Sequence, residues 1–178
     1  MQLLLQFLFI TFLSSSNSYK SNSLIDWNAD RKLTWDDFKA KPDKNSPNAA
    51  LTGTNIKFNF SYSSDKGFRF HISCQFDKNS SWGRIKTDYI LSHEQGHFDI
   101  AEIYARKLFK ALKEYRPDVD KANKEVNKIY EKIMNELHDA QLQYDRETNF
   151  SINKPEQNRW LIKISDELKN SEAYADYH

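Results

Sequence analysis

Apolar and polar residues alternate along two neighbouring runs of the chain. The apolar positions of these runs are Ile56, Phe58, Phe60 and Tyr62, followed by Phe68, Phe70, Ile72, Cys74 and Phe76. A polar segment with one glycine, residues 63–67, separates them. Period-two patterning on both sides of such a turn predicts an antiparallel β-hairpin with one buried face. On this prediction Cys74 is a buried packing residue, and His71 lies on the solvated face.

After the hairpin the spacing of apolar residues changes to that of helices. A first helix is predicted over about residues 84–112, ending before Pro117, and a second over about residues 118–146. The short connection between them predicts an antiparallel helical hairpin. A third, shorter amphipathic helix is expected around residues 157–168, and the tail after Asn170 is expected to be loose.

Before the β-hairpin, residues 35–38 resemble a short helix that begins after Thr34 as N-cap. Pro42 cannot continue this helix and disfavours helical geometry at the residue before it. Together the predicted elements indicate an α+β fold, in which an antiparallel β-hairpin or small sheet packs on the first long helix and on an antiparallel second helix.

Composition narrows the classes of function. The chain has 178 residues, 39% of them hydrophobic, and 26 basic against 25 acidic residues give a net charge of +1. This length favours one domain with a real core, and the charge balance does not suggest nucleic acid or an anionic membrane as partner. Cys74 is the only cysteine, so no disulfide can form within the chain.

The N-terminus has the pattern of a targeting segment. Residues 3–13 are apolar apart from Gln6 and Thr11, and small polar residues follow at positions 14–18. This run is too short to span a bilayer, so we expect a signal peptide at residues 1–18, a single domain at residues 19–178, secretion or export to the periplasm, and no stable membrane insertion after cleavage. No Lys or Arg precedes Lys20, and a short buried helix is the alternative.

The first long helix carries a motif with direct chemical meaning, the HExxH pattern of His93, Glu94 and His97. Residues four apart lie on the same helix face, with Cβ atoms about 5–6 Å apart. Two imidazoles can therefore hold one Zn²⁺, while the neighbouring carboxylate takes a proton from water. Glycine within a helix costs about 1 kcal/mol relative to alanine, so Gly96 indicates that bulk is unwelcome beside the site. A bare HExxH also occurs by chance in unrelated helices.

A catalytic zinc site needs a third protein ligand. At about 100° per residue, Glu102 lies about 180° from His93 on the helix, on the opposite face. The ligand should therefore come from the second helix, where the candidates are Glu136, His138 and Asp145. In an antiparallel helical hairpin, residues at equal distances from the turn face each other, and this favours His138.

Several segments together resemble a known bacterial family, domain of unknown function 922, whose members are described as secreted zinc-dependent proteases. The resemblance is carried by residues 32–38 (KLTWDDF), 81–82 (SW), 93–102 (HEQGHFDIAE), 105–106 (AR) and 144–148 (YDRET), with Gln157 and Trp160. It implies that Asp145, rather than His138, is the third metal ligand. Phe150 and Ser151 stand where the family often has His-Gly, and if that His were the third ligand this chain would be impaired in metal binding.

We therefore expect a zincin-like α+β domain that acts as an exported zinc-dependent peptidase. The expected metal ligands are His93, His97 and Asp145, with Glu94 as general base and Tyr144 or His138 stabilising the oxyanion. The substrate would be a peptide or protein, bound by strand addition to an edge strand. Two alternatives remain open: a non-catalytic envelope protein that keeps the fold and perhaps the metal, and a structural helical domain in which the motif is accidental.

Overall fold

The computed structural model describes residues 23–63, 65, 67–118 and 120–177. The predicted signal peptide lies outside these described residues. Within them the protein is an α+β fold of five strands, three α-helices and two short 3-10 helices. The strands and long helices are β1 (Leu24–Asp26), β2 (Ala50–Leu51), β3 (Thr54–Ser63), β4 (Gly67–Asp77), β5 (Trp82–Gly83), α1 (Asp88–Glu114), α2 (Ala122–Thr148) and α3 (Lys154–Asn170). None of the helices in the described ranges combines the length and apolarity needed to cross a membrane.

The predicted hairpin is confirmed as strands β3 and β4, which pair antiparallel with Ile56 opposite Cys74. Strand β1 adds to the other edge of β4, and β2 pairs with β5 in a separate two-stranded sheet. Ile72 and Cys74 are fully buried, whereas His71 is exposed, as the alternation predicts. The hairpin therefore presents one apolar face, and this face packs against α1.

Helix α1 is the centre of the molecule, because it lies between the sheet and helices α2 and α3. Thr87 caps it, accepting a hydrogen bond from the Ile90 amide at 3.2 Å, and it ends three residues before Pro117. A helix covered on several sides buries polar as well as apolar positions. Five of the polar or charged side chains buried in α1 are His93, Glu94, Asp99, Glu102 and Arg106.

The second helix runs antiparallel to α1, as predicted. The C-terminal end of α1 contacts the start of α2, and the N-terminal part of α1 contacts the end of α2. Tyr115 bonds Glu125 near the connection, and His93 bonds Asp145 at the far end. Helices α1 and α2 begin later than the periodicity indicates, and α3 begins earlier. Helix α2 starts at Ala122 because Asp118 forms a turn that accepts the amides of residues 121 and 122, and α3 starts at Lys154, capped by Asn153.

The expectation of a loose tail after Asn170 is wrong for the described residues. A short 3-10 helix, Glu172–Tyr174, turns the chain back toward α1. Tyr177 is then 6% exposed in the main core, and its hydroxyl donates to Oε2 of Glu102. The tail is ordered because an aromatic ring and a buried carboxylate partner lie at its end, which residue periodicity does not reveal.

Candidate metal centre

An open cleft of about 470 Å³ lies between α1, α2 and the extended segment of residues 48–54. His93, Glu94 and His97 line it from α1, and Asp145 lines it from α2. The HExxH spacing puts the two histidines on one helix face, and the antiparallel packing of α2 brings the carboxylate to them. The structure thus brings together the four residues that the sequence analysis singled out.

His93, His97 and Asp145 form a compact group that could hold a metal ion. Nε2 of His93 lies 3.1 Å from Oδ1 of Asp145, and Nε2 of His97 lies 3.0 Å from the same oxygen. The two Nε2 atoms are 3.2 Å apart. Ligand atoms in a tetrahedral zinc site with bonds of about 2.0 Å are separated by about 3.3 Å. The three atoms therefore have the mutual spacing of three corners of such a site.

The charges of the group also suit a cation. Burial disfavours the charged form of Asp145, but hydrogen bonds from His93 and His97 outweigh burial and hold the pKa of this carboxyl well below its usual value. Burial likewise opposes a charge on His97, yet its pKa is raised by the hydrogen bond and charge of Asp145 and by the charge of Glu94. These carboxylates favour positive charge at the imidazole of His97, whether from a proton or from a metal that replaces it.

Gln141 fixes the orientation of His97 and is a site residue that the sequence analysis missed. Its Nε2 donates to the backbone carbonyl of His97 at 2.9 Å, which turns Oε1 toward the ring, where it pairs with Nδ1. Nδ1 therefore carries the proton, and the lone pair of Nε2 is left for a metal. The available signal was position, because Gln141 lies one helical turn before Asp145 on the same face of α2.

His93 is held by ring stacking. Nδ1 of His93 is buried and has no hydrogen-bond partner in the described part of the chain. Instead the ring stacks on Tyr144, with centroids 4.5 Å apart and planes at 19°. Tyr144 is fully buried, and its hydroxyl donates to the backbone carbonyl of His93 at 3.4 Å. Tyr144 is therefore a packing support behind the histidines and does not line the cleft.

Glu94 is 3% exposed, and the hydroxyl of Thr52 donates to its Oε2 at 2.7 Å. Burial is the main influence on the Glu94 pKa and raises it, against the opposing influence of His97 and of the Thr52 hydrogen bond. A carboxylate with a raised pKa is a stronger base. Thr52 is a second residue that the sequence analysis missed, since it belongs to a segment remote in sequence that only folding brings to α1.

The other candidates lie apart from the group. His138 is exposed and lines the cleft wall, while Glu136 is exposed and lies 3.9 Å from Lys132. Glu102 is fully buried on the far side of α1, where its Oε1 accepts from Nε of Arg106 at 2.7 Å. Phe150 lies at the rim of the cleft and is 48% exposed. The three-residue group is formed without position 150, so the Phe150 departure does not remove a member of it.

One family model matches the chain, over residues 18–151, and it is described as "bacterial protein of unknown function (DUF922)". The chain belongs to this family. The matched region contains His93, His97, Asp145 and the hairpin, whereas α3 lies beyond it. No curated protein and no solved structure matches the chain. For this DUF922 member, a function must therefore be inferred from the residues of the site and their geometry.

We expect Asp145→Ala to weaken zinc binding by about a hundredfold or more, because one of three ligands and its negative charge are lost. His138→Ala is the matched variant on the same helix and should bind zinc like the wild type, since His138 is outside the group. Competition with a chromogenic chelator measures both affinities. Equal loss in the two variants would contradict the assignment of Asp145.

We expect Gly96→Ala to destabilise the protein despite the higher helix propensity of alanine. A Cβ at Gly96 would lie 2.5 Å from the Tyr144 hydroxyl oxygen and 2.9 Å from a ring carbon. Overpacking costs about 1–3 kcal/mol, and propensity returns about 1 kcal/mol. Tyr144 is fully buried and cannot swing away, so the steric cost should prevail. Urea unfolding tests this, and a gain in stability would show that Tyr144 yields easily.

Proposed function

We propose that this protein is a zinc-dependent peptidase in which Glu94 is the general base. The observation that supports the proposal is the convergence of His93, His97 and Asp145 beside a buried carboxylate in an open cleft. Two imidazoles and one carboxylate are a ligand set typical of catalytic zinc sites, which keep one position for water or substrate. Hydrolysis at such a site also requires a base, and Glu94, a buried carboxylate that lines the same cleft, is our candidate for it.

Zinc, when bound by this group, would polarise a carbonyl and lower the pKa of water toward about 7. Glu94 would accept the proton from the attacking water and deliver it to the leaving amine. Thr52 would hold the carboxylate in place through its hydrogen bond, and Gln141 would hold His97 in the required tautomer. For the oxyanion we favour His138, which lines the cleft, over Tyr144, which is buried behind His93.

A peptide substrate would lie along the extended segment of residues 48–54, which borders the cleft. Within it, β2 pairs with β5 along one edge. The sheet of β1, β4 and β3 has β3 as an edge strand that begins at Thr54, beside the cleft. An extended peptide can add to such backbone, with main-chain hydrogen bonds giving affinity. We propose that binding occurs here, and peptide binding unchanged by proline substitutions in this segment would argue against it.

We also propose that the protein is exported. The apolar run at residues 3–13, followed by small polar residues, supports this. Expression of the full chain in a bacterial host, followed by mass measurement of the periplasmic product, tests it. A mature chain that begins near residue 19 is the expected result, and retention of Met1 in a cytoplasmic product would contradict export.

The purified protein is expected to contain about one zinc per chain and to cleave peptides only in its zinc-loaded form. Chelation should abolish cleavage of a mixed peptide library, and added zinc should restore it. Absence of stoichiometric zinc at neutral pH would contradict the metal site and favour a structural domain. Bound zinc without any cleavage would favour a non-catalytic envelope protein that keeps the metal.

A further inference from the structure

A second cavity of about 530 Å³ opens beside the metal cleft, and we call it the side cavity. The two share Asn48, Ala49, Phe150 and Ser151 as walls, so they adjoin each other. The remaining apolar lining of the side cavity includes Ile85, Tyr89, Ile90 and Ile152. A polar cleft with ionisable groups thus lies next to a largely apolar recess.

Half of the large hydrophobic side chains that are exposed in the described part of the chain line the side cavity. Six large hydrophobic side chains are exposed among the described residues, and three of them line this cavity: Phe150 at 48%, Ile85 at 52% and Ile152 at 73%. A fourth, Leu51, lines the metal cleft. Scattered exposed apolar residues need no explanation, but a cluster at one cavity marks a binding surface.

The backbone that presents Phe150 is held in an unfavourable conformation. Asn149, Phe150 and Ser151 have φ angles of 48°, 52° and 70°, in the left-handed region that side chains disfavour. The Phe150 amide donates to the carbonyl of Asp145 at 2.8 Å, which ties the turn to the residue that faces the histidines. Backbone strain of this kind concentrates at ligand-binding sites. The turn places the Phe150 ring at the junction of the two cavities.

The charges around the side cavity are of one sign. Arg84 and Lys154 line it, and no carboxylate does so among the described residues. Arg84 donates to the backbone carbonyls of Asp43 and Ser46, and Lys154 lies over the ring of Tyr89 at 5.2 Å. Both cations have partners in the protein. Their positive charges would repel a cationic ligand, which narrows the choice of ligand for the side cavity.

We propose that the side cavity is the specificity pocket of this site and accepts one large aliphatic or aromatic side chain of a peptide, next to the bond that is cleaved. A lysine or arginine side chain is excluded by charge. This assignment rests on the proposed peptidase function, but the binding preference of the side cavity can be measured without turnover. Phe150 and Ile152 are the residues that determine the preference.

The test uses zinc-loaded Glu94→Gln protein and fluorescent peptides of Gly and Ala that differ at a single position, occupied by Leu, Phe, Ala or Lys. Burial of one large apolar side chain should make the Leu and Phe peptides bind at least about tenfold more tightly than the Ala peptide. The Lys peptide should bind most weakly. Phe150→Ser and Ile152→Ser should bring the Leu and Ala peptides to nearly equal affinity without changing zinc content.

Ile162→Ser is the matched control, because Ile162 is 65% exposed on α3 and lies outside both cavities. It should keep the full preference. Equal binding of all four peptides, or a preference that survives both cavity variants, would overturn the pocket whatever the activity. A Leu and Phe preference with no cleavage by zinc-loaded wild type would support the pocket and overturn the peptidase function. Cleavage without a binding preference would support the peptidase function and overturn the pocket.

Discussion

Replacing Glu94 with glutamine is expected to lower kcat for peptide cleavage by about a hundred- to ten-thousand-fold while zinc stays bound. Glutamine has nearly the same shape and still accepts the hydrogen bond from Thr52, which joins the Oε2 position at 2.7 Å. It cannot take up a proton. The substitution removes the ionisable carboxylate, whose pKa is raised by burial in the wild type. The loss should appear in kcat far more than in KM, because substrate contacts are unchanged.

Glu136→Gln is the matched control for this experiment. Glu136 is an exposed carboxylate on α2 with Lys132 at 3.9 Å, and it does not line the cleft. The same chemical change there should leave kcat, KM and zinc content as in the wild type. If Glu94→Gln and wild-type protein digest a peptide library at equal rates, Glu94 is not the base. Loss of zinc in the Glu94 variant would instead assign this residue to metal binding.

Replacing Arg106 with methionine is expected to cost about 3–5 kcal/mol of unfolding free energy, a large part of the stability of a domain this size. Glu102 and Arg106 are 0% and 5% exposed, and their charged atoms lie 2.7 Å apart. Arg106 also donates to the carbonyl of Leu168 at 2.7 Å, and its guanidinium lies over the Trp27 ring at 5.1 Å. Methionine keeps much of the packing volume but leaves Glu102 as an unpaired buried charge.

This cost should depend on pH in a defined direction. Burial raises the Glu102 pKa, and hydrogen bonds from Tyr177 and Arg106 oppose the rise, so removal of Arg106 should raise it further. A carboxyl with a higher pKa when folded favours the folded state at acid pH and loses this contribution as pH rises through the folded pKa. The stability gap between variant and wild type should therefore narrow between about pH 7 and pH 4.

Two further variants separate charge from packing. Adding Glu102→Gln to Arg106→Met removes the buried charge and should recover more than half of the lost stability, although the Arg106 contacts stay absent. Lys132→Met breaks an exposed pair of the same spacing, Lys132 and Glu136, and should change stability by less than about 0.5 kcal/mol. Urea unfolding at several pH values measures all of these. A pH-independent cost, or no recovery in the double variant, would mean that packing dominates.

These two predictions concern opposite sides of α1. The face with His93 and His97 opens to the cleft, and the face with Glu102 and Arg106 closes on Trp27, α3 and the tail. The buried ion pair fastens those elements to the helix on which the histidines stand. Disruption of the pair should therefore loosen the site as well, and zinc affinity of Arg106→Met is a useful second measurement.

Local sequence determined the hairpin, the three helices and half of the site. Alternation at residues 56–76 predicts the hairpin because side chains of a strand point to opposite faces in turn. The HExxH spacing places His93 and His97 on one face because a helix turns about 100° per residue. The same arithmetic separates Glu102 from them, and the cost of glycine in a helix points to the close approach at Gly96, which Tyr144 makes.

Tertiary structure decided the rest, because the remaining partners are remote in sequence. The sequence leaves Glu136, His138 and Asp145 as candidates on α2, and only the level at which α2 packs on α1 brings Asp145 to the histidines. The Thr52 hydroxyl reaches Glu94 from 42 residues away. Tyr177 reaches Glu102 across 75 residues, which no local pattern records. Periodicity predicts which face a residue occupies, whereas the packing of whole elements determines what that face meets.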